Sequence, residues 1–345
     1  MDRLKLKAES ITPVHVGNGE KLTPLFDFVG VKDKGKWLFW KVNVDELIEF
    51  AEKARLSEAL FSAASERRKS LAAFLKERGL FDAFLARVKK RGRKPIIAFE
   101  ELELEIFEHQ NTNGKYLIPG SSLKGAIRTA LVYHVVKKNR DKFRKLSPDL
   151  EKLIFGSEPT RDILKGLLVS DTVRMKRGVF FLKLQRVHLL KGMAGVASAA
   201  EVLDVKPAEF ELGWNFTKEL FDVSDSHFKE DLKFLFERDI KTFCDVINEF
   251  ALDFCNYELD RAKKIGRYPK ELKGFYESLK EEIKSMNGTS FVLRLGRFKT
   301  FMNQTVGMLD DSIEDLFPKT EWIAHFPLHP NKKVPLGWIR FRFEA

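Results

Sequence analysis

Small, hydroxyl-bearing and cationic residues crowd into one short run, Ile118-Pro119-Gly120-Ser121-Ser122-Leu123-Lys124-Gly125-Ala126-Ile127-Arg128. Leu123, Ala126, Ile127, Ala130, Leu131 and His134 recur at helical spacing, so a helix should begin near Gly120. Ser121 or Ser122 is expected to cap it by accepting a hydrogen bond from a backbone N–H two or three residues on. Gly120 permits a tight turn and a close ligand, and open N–H groups at a helix start suit a phosphate oxygen. Lys124 and Arg128 are four apart and share a face away from Leu123 and Ile127. They are expected to serve binding, so that replacing both leaves the melting temperature nearly unchanged. The competing reading is an ordinary capped helix carrying two solvated cations.

Other reactive residue types are scattered. His15 follows Pro13 at a glycine turn, and Asp171 closes a strand, where an Asp commonly caps the next turn. Neither has a partner at catalytic spacing. His325 and His329 are separated by Pro327, which opposes the helix that would pair them on a metal. Cys244 and Cys255 fall on one helical stretch and suit core packing. In Arg297-Phe298-Lys299-Thr300-Phe301, cations and aromatics interleave as they do where bases stack on side chains. No Walker, Rossmann or zinc motif is present, so no cofactor and no metal are expected.

The chain that must position these residues has 345 of them, with 44% hydrophobic and 32% charged residues. That supports a packed core and about two domains. A net charge of +11 favours an anionic partner, nucleic acid first. Two Cys exclude a disulfide scaffold. Without a long apolar run or a signal-like start, a cytoplasmic protein is expected. Between Glu66 and Lys94 there are eleven Lys/Arg against three Asp/Glu, and Lys137 to Lys145 adds six against one. Such runs neutralise phosphates or form a solvated surface.

Leu4, Leu6 and Ala8 alternate with charged residues as in a half-buried strand, and Phe26–Val31 with Lys36–Val42 read as a hairpin. Residues 44–91 read as helices broken at Gly79, and Ile97 to His109 as one strand with a Leu102/Leu104/Ile106 face. Further strands are expected at 166–171, 179–189 and 202–214, with a loop at 191–200 and Pro207 marking an edge or bulge. Leu232 to Phe254 keeps one helical stripe, and strands follow at 290–295 and 337–344. The fold class is therefore α+β, with domains at 1–215, including the 44–91 helical insertion, and at 216–345.

Pro119-Gly120-Ser121-Ser122-Leu123-Lys124-Gly125 with Arg128 resembles the signature of the RAMP superfamily, RNA-binding subunits of type III CRISPR effector complexes. Ile11-Thr12-Pro13-Val14-His15-Val16-Gly17-Asn18-Gly19, Ile154-Phe155-Gly156, Leu168-Val169-Ser170-Asp171, Arg294-Leu295-Gly296-Arg297 and Pro335-Leu336-Gly337-Trp338 resemble its further stations, in the right order. Length and the Thr-Pro-Val-His start are most similar to the fifth-subunit family of the type III-A (Csm) complex. The resemblance implies tandem ferredoxin-like (RRM-like) domains with helical insertions. It also implies a non-catalytic subunit that binds the 3′ region of CRISPR RNA and supports its maturation in antiviral defence. Its partners would be CRISPR RNA, other Csm subunits and host nucleases that trim the 3′ end. The residues carried over as RNA-binding are His15, Gly17, Gly120, Ser121, Ser122, Lys124, Arg128, Arg294, Arg297 and Lys299. The glycine-rich elements are sparser here, Gly296 and Gly307 in place of a dense cluster. The rival is a metal-independent RAMP endoribonuclease processing repeat RNA, with His15 and Lys124 as its acid–base pair.

Overall fold

A computed structural model describes residues 3–65, 70–143, 149–189, 193–266, 268–310 and 320–344. Strand β1 (Arg3–Ser10) is followed by β2 (Gly17–Leu22), β3 (Phe28–Asp33) and β4 (Lys36–Lys41), then helices α1 (Val44–Lys53), α2 (Ser57–Ser65), α3 (Leu71–Lys76) and α4 (Phe81–Lys90). Short strands β5 (Ile96–Ala98), β6 (Ile106–His109), β7 (Asn111–Thr112) and β8 (Lys115–Tyr116) lead into α5 (Gly120–Lys138). Next come α6 (Leu150–Phe155), β9 (Leu167–Val169), β10 (Arg174–His188) and β11 (Met193–Trp214). The remainder holds α7 (Lys218–Val223), α8 (Lys233–Phe236), α9 (Ile240–Lys264), α10 (Lys270–Lys284), β12 (Ser290–Arg294), β13 (Thr320–His325), β14 (Lys333–Pro335) and β15 (Trp338–Phe343).

One mixed sheet runs in the order β12-β15-β1-β11-β10-β5-β4-β3, with β2, β6, β9, β13 and β14 branching from it. Strand β1 pairs antiparallel with β11 on one side and with β15 on the other. The strands after residue 216 thus extend the N-terminal sheet, and the expected division at 215/216 is no break in it. One core cluster spans both halves, joining Leu6, Leu131 and Phe210 to Phe243, Phe291 and Phe341. The physical reason is that a strand edge carries a row of unpaired backbone N–H and C=O groups, and β1 and β15 satisfy each other's.

The β3–β4 hairpin turns on Lys34 and Gly35, both at positive φ, the geometry of a tight primed turn. Helices α1–α4 pack Leu47, Leu71, Phe74, Phe84 and Leu85 against Val29 and Trp40 of that hairpin. They form an insertion with its own core, as expected of 44–91. The basic run there is only partly described, since Arg67, Arg68 and Lys69 lie outside the described residues; so do Arg144 and Lys145 of the second run.

Four local expectations are corrected. The strand expected from Ile97 to His109 is two strands with different partners, β5 on β4 and β10, and β6 on β2 and β11. Alternation put Leu104 on a core face, but it is exposed, because 99–105 is a connection and not a strand. The expected loop at 191–200 is strand from Met193, because its backbone pairs antiparallel with β10. The stripe from Leu232 to Phe254 is broken at Arg238, whose φ is positive, before Asp239 caps α9 through Thr242. Pro207 lies on an interior strand, where the register with β10 shifts, so it marks a bulge and not an edge.

Candidate nucleic-acid interface

Helix α5 starts where its sequence predicts, but its cap comes from elsewhere. Pro119 is the N-cap residue, with no side-chain cap bond from Ser121 or Ser122. The Gly120 N–H instead donates to Asp171 Oδ1 at 2.9 Å. A carboxylate therefore already sits at the positive end of the helix, where a phosphate was expected. The space at Gly120 is filled by protein: a Cβ there would lie 2.2 Å from the Val169 carbonyl oxygen. The glycine lets strand β9 approach the helix start.

The two cations of α5 are engaged. The Lys124 ammonium donates to the Leu167 carbonyl at 2.8 Å, and burial lowers its pKa. Arg128 donates to Glu151 at 2.5 Å and Asp162 at 2.8 Å, and its guanidinium lies 4.2 Å from the Phe155 ring centroid. Arg128 thus ties α5 to α6 and to the turn before β9, and the expectation that it is idle in the fold is corrected. Beside it, Arg3, Ser121, Lys124, Leu168 and Ser170 line an open concavity of about 530 Å³. Its Arg3 is paired with Glu211 at 2.8 Å.

A second station assembles from three distant segments. Gly337 N donates to Pro13 O at 2.8 Å, Leu295 N to Gly337 O at 2.7 Å, and Arg297 N to His15 O at 3.0 Å. Gly296 and Gly337 have positive φ, and a Cβ on either would sit 2.0 or 2.1 Å from a carbonyl oxygen. Glycine is required at both for the segments to close on one another. This brings the segments of His15, Gly17, Arg294 and Arg297 together.

Their side chains then diverge. Arg297 is exposed, with its guanidinium 4.1 Å from the Phe107 ring centroid and no carboxylate partner among the described residues. Lys299 is half-buried, and desolvation, with Arg294 nearby, pushes its ammonium down to about 8. Arg294 is fully buried, donating to both oxygens of Glu321 and to the carbonyls of Leu336 and Phe298. Its expected contact with RNA does not fit this burial, because every donor it carries faces the core. Phe298 is buried too, packed on His15 and Trp322, so it offers no stacking face.

His15 is buried. Its Nδ1 faces the Glu201 carbonyl at 2.8 Å and so carries the proton, leaving Nε2 buried without a hydrogen-bond partner among the described residues. Burial holds the ring down to about 4, and Arg297 adds to this. Around it lies a polar cluster that sequence reading missed. Glu201, buried, accepts from Lys41 at 3.0 Å, from the His109 N–H at 3.1 Å and from the Tyr116 hydroxyl. Lys41 also reaches Glu108 at 2.7 Å. These residues come from four strands and the β1–β2 connection, so no local spacing announces them; lone charges in apolar strands, Lys41 and Glu201, were the available signal. Lys124 is anchored at Leu167, which pairs with Trp214, whereas His15 is anchored at Glu201. Those stations are thirteen residues apart on β11, roughly 40 Å of strand. The acid–base pair of the rival reading is not assembled.

The described residues match a known architecture across most of the chain. The model of the RAMP superfamily matches residues 7–301. The chain belongs to the RAMP superfamily. It is 25% identical to "CRISPR system Cms protein Csm5" of Methanocaldococcus jannaschii, over 98% of this chain and 81% of that protein. Its fold is similar to a chain in the Csm–crRNA–target RNA ternary complex of a type III-A CRISPR-Cas system, with TM-score 0.68, 21% identity and coverage of 99% and 100%. It is also similar to the crystal structure of T. onnurineus Csm5, with TM-score 0.67, 20% identity and coverage of 96% and 99%. The superfamily match takes in both the α5 start and the Gly296 turn, the two stations where RAMP motifs meet in space.

Proposed function

We propose that this RAMP protein is an RNA-binding, non-catalytic subunit of a type III-A Csm effector complex. It would hold the 3′ region of CRISPR RNA and support its maturation. Its partners would be other Csm subunits and host nucleases that trim that end. Whole-length similarity to a Csm5 protein supports the assembly. The observation that carries the RNA contact is Arg297: an exposed guanidinium with no carboxylate partner among the described residues, held over Phe107 by a turn that three RAMP motifs build. Arg297 and Lys299 would take phosphates, Gly17 and the turn beside it would let the backbone approach, and Ser121, Ser122 and Lys124 would line a secondary contact. We read the sheet as two ferredoxin-like halves fused at β1 and β15, with α5 serving one and α9 the other.

The test uses the tagged chain expressed with its genomic neighbours. Wild type is expected to bring down CRISPR RNA of mature length, and Arg297→Ala with Lys299→Ala to bring down less, or RNA with extended 3′ ends. Failure to associate with CRISPR RNA, or RNA unaltered in the double variant, would remove the reading. Metal-free cleavage of repeat RNA by the pure protein, lost in His15→Ala, would establish the ribonuclease instead.

A further inference from the structure

Away from both stations, β10, β13 and β14 lie side by side. The register sets Leu184 opposite Ala324 and Gln185 opposite Ile323, so Lys183 falls opposite His325. His325 in turn pairs with Lys333. Lys183, His325 and Lys333 therefore form one row across three neighbouring strands. Directly opposed residues stand about 5 Å apart, so the row sets a lysine on either side of the His325 ring. These three side chains, with Gln185, Glu100 and Ile323, line a cavity of about 250 Å³. The carboxylates nearby compensate weakly: Glu100 lies 3.7 Å from His325 Nδ1, and Glu271 lies 3.8 Å from Lys333. Lys183 has no carboxylate partner among the described residues and is half-buried.

We infer that this cavity is a phosphate-binding site. Three nitrogen-bearing side chains on adjacent strands line one concave spot, as a tetrahedral oxyanion requires, and two of them are lysines. Gln185 supplies an amide donor beside them. Glu100 stands at the rim as an acceptor, suited to a ribose hydroxyl next to the phosphate. A volume of about 250 Å³ favours a small group over the broad contact of an acidic protein surface. The site is built on strands, not on the Gly296 turn, so it is independent of the RNA contact proposed for Arg297.

Calorimetric titration of the full chain with AMP and with inorganic phosphate, at low salt, tests this. Saturable binding is expected for both. The Lys183→Ala/Lys333→Ala double variant should weaken it at least tenfold, and Lys183→Arg/Lys333→Arg should restore it. Single-stranded RNA then separates the sources of phosphate. If RNA is the ligand, the double alanine variant lowers the log–log salt slope by about 1.4, at roughly 0.7 per contact. If a free nucleotide is the ligand, AMP binding falls while RNA binding holds. No saturable binding of either probe, or equal binding by a double alanine variant with unchanged thermal melting, would overturn the site. So would a variant that keeps both probes but loses its protein neighbours, which would make the row a protein-docking surface. RNA binding that depends on Arg297 survives all of these overturning results, so the two proposals fail separately.

Discussion

Cation chemistry at single residues divides what binds from what builds. Arg294, Arg297 and Lys299 lie within six positions, yet one is locked on Glu321, one is exposed, and one is half-desolvated. Lys299, at about 8, is charged below that pH and neutral above it. RNA affinity should therefore fall as pH rises from 7 to 9, and the fall should be smaller in Lys299→Arg; filter binding across that range checks it. Arg294→Ala should instead destabilise the fold by about 3–5 kcal/mol, because Glu321 would stay buried and unpaired. Chemical denaturation measures this. His15 and His109 are held neutral by burial, at about 4 and about 3 against an ordinary 6.5. The unfolded chain takes up protons that the folded chain refuses, so this stability is complete above pH 6.5 and is lost as pH falls toward 4. For His15 it amounts to roughly 3 kcal/mol. Denaturation midpoints at pH 7 and pH 5 should differ less in His15→Phe than in wild type.

At the level of elements, the start of α5 is a joint before it is a ligand site. Asp171→Ala removes the carboxylate that caps Gly120 and should destabilise by about 1 kcal/mol, as the loss of a helix cap does. Arg128→Ala gives up two ion pairs and a ring contact and should destabilise by about 1–2 kcal/mol. Thermal melting of each variant checks both. Helical spacing located α5 and its start near Gly120, because apolar periodicity is a local property. The cap was not legible, since Asp171 is fifty-one positions away and nothing in a serine pair says that neither serine will be used.

Across the whole molecule, closure depends on glycines that let carbonyls touch them. Gly296→Ala or Gly337→Ala would press a methyl group to within about 2 Å of an oxygen of another segment, at a positive φ. Each should cost more than about 4 kcal/mol, the range of strained and overpacked sites. It should also release Arg297 from Phe107, so RNA binding and stability should fall together, unlike Arg297→Ala, which should touch binding alone. Parallel denaturation and RNA-binding measurements on the three variants would show the separation.

Sequence alone determined the elements and their kind: the strand alternation at Leu4, Leu6 and Ala8, the helical insertion at 44–91, the α5 stripe, and the family, whose motifs are short and contiguous. It also placed His15, Arg294 and Arg297 in motifs that meet. The tertiary structure decided what each then does. Whether β15 closes a second sheet or borrows β1 depends on an edge pairing across 330 positions. Whether an arginine faces water or Glu321 depends on a strand that arrives twenty-seven positions later. The row of Lys183, His325 and Lys333 exists only in the register of three strands. Periodicity is set by neighbours along the chain, whereas exposure, charge pairing and cavities are set by neighbours across it.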